Sequence, residues 1–202
     1  MNKPKTTSLF LLIAAVIFGS VSIFGQEPAA SDRSYEATLH VVIGSDDTSP
    51  RGDLPKALDS VTKQIRDNFT FKSYRILNTY YGRLANGGSL EYKSVSSLTD
   101  GAVDLESPTF LDWTLGTFRA ESGAAGKGSL SVQAFRFGAR VPIVVSKLPG
   151  PDGKVAPITN YESVGLVLSK LGVSEGVPTL IGTISLPRTT GTVFLVMTIR
   201  SV

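Results

Sequence analysis

Residues 53–95 read DLPKALDSVTKQIRDNFTFKSYRILNTYYGRLANGGSLEYKSV, and this stretch decides the fold. Leu54, Leu58, Val61 and Ile65 stand at offsets of 0, 4, 7 and 11, which is one face of an α-helix. Lys56, Asp59, Lys63 and Asp67 lie mostly off that stripe. Asp53 is placed to cap the helix, and Pro55 falls in the first turn, where its missing N–H costs nothing. The helix is predicted to end near Phe69. Ser73 to Leu84, rich in Tyr, Ile and Thr, then reads as a strand. Ala85-Asn86-Gly87-Gly88 is a tight-turn signal, because Asn-Gly accepts the positive φ angles a hairpin needs. Leu90 to Val95 returns as the next strand.

Moving outward toward the N-terminus, Tyr35, Ala37, Leu39, Val41 and Ile43 alternate with Glu36, Thr38, His40 and Val42. A period of two predicts a strand with one buried face. Residues 35–97 thus read as a β-α-β-β module, with the helix stripe covering one face of its sheet. Gly44 to Gly52 is a loop by composition.

Toward the C-terminus, Ser96 to Pro108 is a polar joint and a candidate domain boundary. Beyond it the pattern is almost wholly β. Thr109 to Ala120 carries Phe110, Trp113, Leu115 and Phe118. Gly123 to Gly128 is a turn. Leu130 to Phe137 reads as a strand, in which Leu130, Val132 and Ala134 alternate with Ser131, Gln133 and Phe135. Val141 to Ser146 is a short apolar run, placed at an edge by Pro142. Leu148 to Gly153 is a turn, and Val164 to Ser169 a strand. Thr179 to Ser185 and Thr192 to Arg200 form a closing hairpin. In the last strand Val193, Leu195, Met197 and Ile199 oppose Phe194, Val196, Thr198 and Arg200, so both faces are largely apolar and the strand is central. Short strands at this spacing indicate a sandwich. The fold class is α+β, mainly β: a β-α-β-β module followed by an antiparallel β-sandwich-like half over residues 98–202, the two forming either separate domains or one body.

Residues 1–25 read as a secretory signal peptide. Lys3 and Lys5 supply a basic start, Leu9 to Phe18 is an unbroken apolar run of ten, and Gly19, Ser20 and Ser22 follow. The run is short for a bilayer span, which takes ~20 apolar residues. Residues 26–34 are a flexible lead-in. The chain has 202 residues and a formal net charge of +3. Without residues 1–25 the balance falls to 18 basic against 17 acidic side chains. The remaining body is close to neutral, which argues against nucleic acid as a partner. Export leads to an expected periplasmic or extracellular location, with membrane contact only through an uncleaved signal.

Catalytic chemistry finds little support. Cys is absent and His40 is the only histidine, which removes thiol nucleophiles and most zinc sites. No Gly-x-Ser-x-Gly turn presents a serine to His40. Gly123 to Ser129 has the flavour of a phosphate loop but lacks four residues between its glycines and Ser or Thr after Lys127. Asp46, Asp47 and Asp53 lack calcium-loop register. Arg51-Gly52-Asp53 is a chance-level integrin-type tripeptide, and Asn68-Phe69-Thr70 a glycosylation acceptor only in a eukaryotic secretory route. Asp104, Glu106 and Asp112 could supply a carboxylate pair for glycoside hydrolysis, which needs a separation that sequence does not show. No catalytic, cofactor or metal residue is expected. Tyr80, Tyr81 and Arg83, with Trp113, are the expected contact face, since exposed Tyr, Trp and Arg concentrate binding energy.

Two stretches carry a resemblance. Leu58 to Leu77 is a helix running into a strand, with Phe71 and Tyr74 at the junction. Gly176-Val177-Pro178-Thr179-Leu180-Ile181-Gly182-Thr183 leads to the final apolar strand. Together they resemble exported bacterial envelope proteins. The end segment is similar to the Gly-x-x-Thr-hydrophobic-hydrophobic-Gly turns of secretin-type channel proteins, and the β-α-β-β order to periplasmic modules of secretion and pilus machines. The chain is far too short for a secretin, so the resemblance implies an accessory domain rather than a pore. The leading expectation is a non-enzymatic interaction or structural protein of the cell envelope, with an envelope protein as partner. The alternatives are a glycan-binding sandwich, using Trp113 or Tyr81 as stacking platforms, and a carboxylate-based hydrolase.

Overall fold

The computed structural model describes residues 33–46, 54–96, 98, 107–121, 129–149, 155–187 and 191–202. The signal segment, Asp47, the Arg51–Asp53 tripeptide, Asp104, Glu106, most of the Gly123–Ser129 loop and the 150–153 turn lie outside them.

Eleven strands and one helix are described. Strand β1 spans Ser34–Ser45. A 3₁₀ turn at Lys56–Leu58 leads into helix α1, Asp59–Asn68. There follow β2 Ser73–Ala85, β3 Leu90–Ser96, β4 Thr109–Leu115, β5 Phe118–Glu121 and β6 Ser129–Val132. The chain closes with β7 Phe135–Pro149, β8 Val155–Leu168, β9 Leu171–Ser174, β10 Thr179–Ser185 and β11 Thr192–Ser201. The protein is α+β and mainly β, with a sandwich-like arrangement of three antiparallel sheets. Their strand orders are β10-β11-β1-β2, β3-β4-β7-β8 and β5-β6-β9.

The alternation in β1 and β11 marks the face that enters the main core, but β1 is not buried on one face alone, since Glu36 and Val42 of its other face are buried too. Tyr35, Ala37, Leu39, Val41 and Ile43 enter the main core with Val193, Leu195, Met197 and Ile199. From the facing sheet come Leu111, Trp113, Leu115, Phe135, Phe137 and Ala139. Each fully buried aliphatic or Phe side chain contributes about 1.5–3 kcal/mol. Strand β11 lies between β10 and β1, so its position is central. Its second apolar face and that of β1 build a smaller core: Val42, Phe194 and Val196 meet Leu58, Val61 and Ile65 of the helical segment. The helix therefore covers one face of a sheet, as its stripe requires. It starts later than its sequence suggests: Pro55 precedes the 3₁₀ turn, and the Leu58 N–H donates to its carbonyl at 2.8 Å.

The chain turns at Asn86-Gly87 as expected, but the flanking strands form no hairpin. Gly87 has φ of 81° and the Gly88 N–H donates to the Ala85 carbonyl. The two strands part company. Strand β2 stays with β1, whereas β3 pairs with β4 in the facing sheet. Residues 35–97 thus keep the β-α-β-β order but not a sheet of their own. Strand β2 is the edge strand of its sheet and β3 the edge strand of the facing one, so the turn carries the chain across the seam between them.

Two glycines shape the seams between the four-stranded sheets. A Cβ on Gly82 of β2 would lie 2.5 Å from a methyl carbon of Leu90 in β3. A Cβ on Gly182 of β10 would lie 2.5 Å from a methyl carbon of Leu166 in β8. At each seam a leucine of one sheet occupies the space that the glycine leaves in the other.

Three local expectations are corrected. Residues 130–137 are not one strand, because Gln133 and Ala134 form a corner held by Gly116 N–H to the Ala134 carbonyl and Gln133 N–H to the Thr117 carbonyl. The corner reverses the facing of Phe135, which is fully buried. Thr109 to Ala120 breaks in the same way at Gly116-Thr117. The runs 141–146 and 164–169 belong to a much longer pair, β7 and β8, joined in register from Phe135↔Leu168 to Pro149↔Val155. Strand β4 pairs with β7 only as far as Arg140. Beyond that residue β7 has β8 as its sole strand neighbour among the described residues, which suits Pro142.

Candidate contact surfaces

The expected contact face does not assemble. Trp113 is fully buried and Tyr80 is 5% exposed. The Trp113 ring stacks on Tyr92 at 6.1 Å and 19° and is tilted against Tyr80 at 6.3 Å. Its Nε1 has no hydrogen-bond partner among the described residues. The Tyr80 hydroxyl lies 3.2 Å from Ser94 Oγ, and burial pushes its pKa up. Both residues are core, so neither can act as a stacking platform. The reason is topological: β4 has a neighbour on each side, and its odd-numbered positions point at the facing sheet.

Tyr81 and Arg83 do lie outside, on the face of the β10-β11-β1-β2 sheet that also carries Glu36 and Arg200. The register sets Arg83 and Arg200 on either side of Glu36. The Tyr81 hydroxyl donates to Glu36 Oε2 at 2.8 Å. Arg200 donates to Glu36 Oε1 from Nη2 at 2.6 Å and Nε at 3.0 Å. The Tyr81 hydrogen bond, with the Arg200 contacts behind it, holds the Glu36 carboxyl below its ordinary range. This cluster satisfies itself and fastens three strands together.

His40 stands further along the same face. Its Nδ1 is 2.9 Å from Thr79 Oγ1, and burial lowers its pKa. Glu36, Thr38, His40, Thr198 and Arg200 floor a shallow hollow of about 280 Å³ beside the helix start and Pro178. No serine or thiol nucleophile lines it. Among the described residues no group of three His, Asp or Glu side chains could hold a metal ion, and no helix is long and apolar enough to cross a membrane.

The β7–β8 ribbon is a surface that sequence reading missed. Its outer part exposes Val144, Val145, Leu148, Ile158 and Tyr161, with Val145 and Leu148 more than half accessible. Strand addition along its β7 edge is hindered by Pro142, by a bulge between Val144 and Ser146, and by Lys147 and Pro149. These are devices that blunt an open edge. The side chains, not the backbone, are what this ribbon offers. Its signal in the sequence was the pair of branched runs around 144 and 158, masked by three prolines.

No model of a known protein family matches the chain, and no curated protein matches it in sequence.

Proposed function

We propose that the protein is a non-enzymatic, exported component of the cell envelope that acts by holding another envelope protein, as an accessory of a secretion- or pilus-type assembly. The observation that carries this reading is the apolar outer ribbon of β7 and β8. A pair of strands with Val144, Val145, Leu148, Ile158 and Tyr161 in solvent loses stabilisation that burial against a partner would supply. The basic start and apolar run of residues 1–25 support export. The occupant is a protein with an apolar docking patch, since the blunted edge disfavours an added strand.

The test is photocrosslinking in cells from residues 145 and 148 of the tagged full chain, with residue 119 as control, after fractionation. The reading expects the chain in the envelope fraction and one defined adduct from 145 and 148 only. Val145→Asp should abolish the adduct and leave the melting temperature unchanged. A cytoplasmic chain, or adducts equally frequent from residue 119, would overturn it.

A further inference from the structure

The outer face of the β3-β4-β7-β8 sheet holds a trough whose shape follows from the register. Three rows cross the sheet. Glu91, Thr114, Arg136 and Val167 form one; Val95, Phe110, Arg140 and Ser163 form another. The row between them runs Lys93, Asp112, Gly138, Gly165. Two consecutive members of that row have no side chain, so the sheet backbone is bared between two walls. Arg136 and Arg140 stand four positions apart on β7, roughly 13 Å between their Cα atoms. The hollow around Glu91, Lys93, Asp112, Arg136 and Arg140 is about 450 Å³, and an adjoining one over Gly138 and Gly165 is about 320 Å³.

The groups lining the trough are chemically specific. A Cβ on Gly138 would sit 2.9 Å from Asp112 Oδ1, so this carboxylate leans over the bare floor. The Arg140 guanidinium lies 4.8 Å over the Phe110 ring, a cation–π contact that positions it at the trough wall. Arg136 and Arg140 are exposed, and neither makes an ion pair among the described residues. Val167, 72% exposed, stands on the Arg136 wall.

We propose that this trough binds a sugar chain carrying carboxylates, an acidic glycan. Two guanidiniums with planar donor forks suit carboxylates. Asp112 between them accepts from sugar hydroxyls, and the glycine floor lets a ring edge approach the backbone. Glu91 is paired with Lys93 at 2.8 Å, so it is Asp112 that disfavours a ligand that is anionic throughout, such as a nucleic acid or polyphosphate. A uronate chain offers both carboxylate and hydroxyl, and so complements both signs of charge. This site is separate from the β7–β8 apolar ribbon and is independent of export.

The test is calorimetric titration of the purified chain, residues 26–202, with trigalacturonate, with maltotriose as the neutral comparison and a short polyglutamate as the acidic peptide. The expected result is binding of trigalacturonate alone. Arg136→Gln and Arg140→Gln should each weaken it roughly tenfold or more, the loss of a charge-assisted contact. Gly138→Val should abolish binding. Because that variant crowds Asp112 and strains the sheet, Val167→Asp serves beside it, changing only an exposed wall and adding like charge. Its binding should fall while its melting temperature holds. Absence of trigalacturonate binding, equal affinity for maltotriose, preference for polyglutamate, or arginine variants that bind like the parent would each overturn the assignment.

Discussion

Trp113 is the residue on which the sequence and the folded chain differ most, and its replacement separates the two roles. The ring is fully buried between the sheets and stacked on Tyr92. Truncation to Ala removes a large aromatic and leaves a cavity, which costs about 3–5 kcal/mol. For a domain of this size each kcal/mol moves Tm by about 2–4 °C, so Trp113→Ala should lower it by roughly 10 °C. Trp113→Phe is the informative variant. It forfeits about 2 kcal/mol of packed ring. It also removes Nε1, which is buried without a partner among the described residues and costs about 1–2 kcal/mol. The net loss should be about 1 kcal/mol or less, a few degrees at most. Thermal unfolding followed by far-UV circular dichroism reads both variants. The parent chain gives a second readout, because Trp113 is its single tryptophan and its fluorescence should resist acrylamide quenching. A Phe variant as damaging as the Ala variant would refute the reasoning about Nε1. An Ala variant with unchanged Tm would refute the placement of Trp113 in the core.

Two further outcomes follow from other sites. Gly182→Val should destabilise by about 1–3 kcal/mol through overpacking against Leu166, with a paired Leu166→Ala recovering part of the loss in urea titrations. Glu36 has a folded-state pKa below its ordinary 4.5, from the Tyr81 hydrogen bond first and Arg200 next. Its contribution is fully present above pH 4.5 and is lost as the pH falls through the lowered folded value. Urea midpoints measured from pH 6 down to pH 3 should therefore fall less steeply for Glu36→Gln than for the parent; parallel curves would remove Glu36 from the account.

The parts of the fold that the sequence shows are those where one side faces the core and the other does not. Leu58 to Ile65 has that asymmetry, and its stripe packs on the sheet. The alternation of Tyr35 to Ile43 likewise marks its main-core face, although Glu36 and Val42 on the other face are buried too. The β7–β8 ribbon lacks the asymmetry. Past Val144 both of its faces are wet, so no alternation arises, and Pro142, Pro149 and Pro157 resemble loop punctuation. The Gln133-Ala134 corner is invisible for another reason, since the bonds that make it reach back to Gly116 and Thr117. The contact face failed at Tyr80 and Trp113 because aromatic residues are enriched in cores and at interfaces alike. Only long-range strand pairing tells the two apart. Tyr81 and Arg83 are exposed as expected, but Glu36 and Arg200, which complete their cluster, stand 164 residues apart in the chain. The acidic-glycan trough was unreadable for the same reason, as its rows draw on four strands.

The pairing of β1 with β11 also sets the order of events during folding. The two strands that centre the core are the first and last of the described chain, joined from Tyr35↔Ser201 to Gly44↔Thr192. Loop closure over that distance must precede the contacts that reward it, so folding of this topology is slow. During synthesis β1 has no partner for its second edge until residues 192–201 have been made. Helix α1 likewise lacks Phe194 and Val196, half of the surface it covers. Until then the apolar faces that β11 covers are exposed to aggregation. Removal of residues 192–202 would not trim the fold but prevent it.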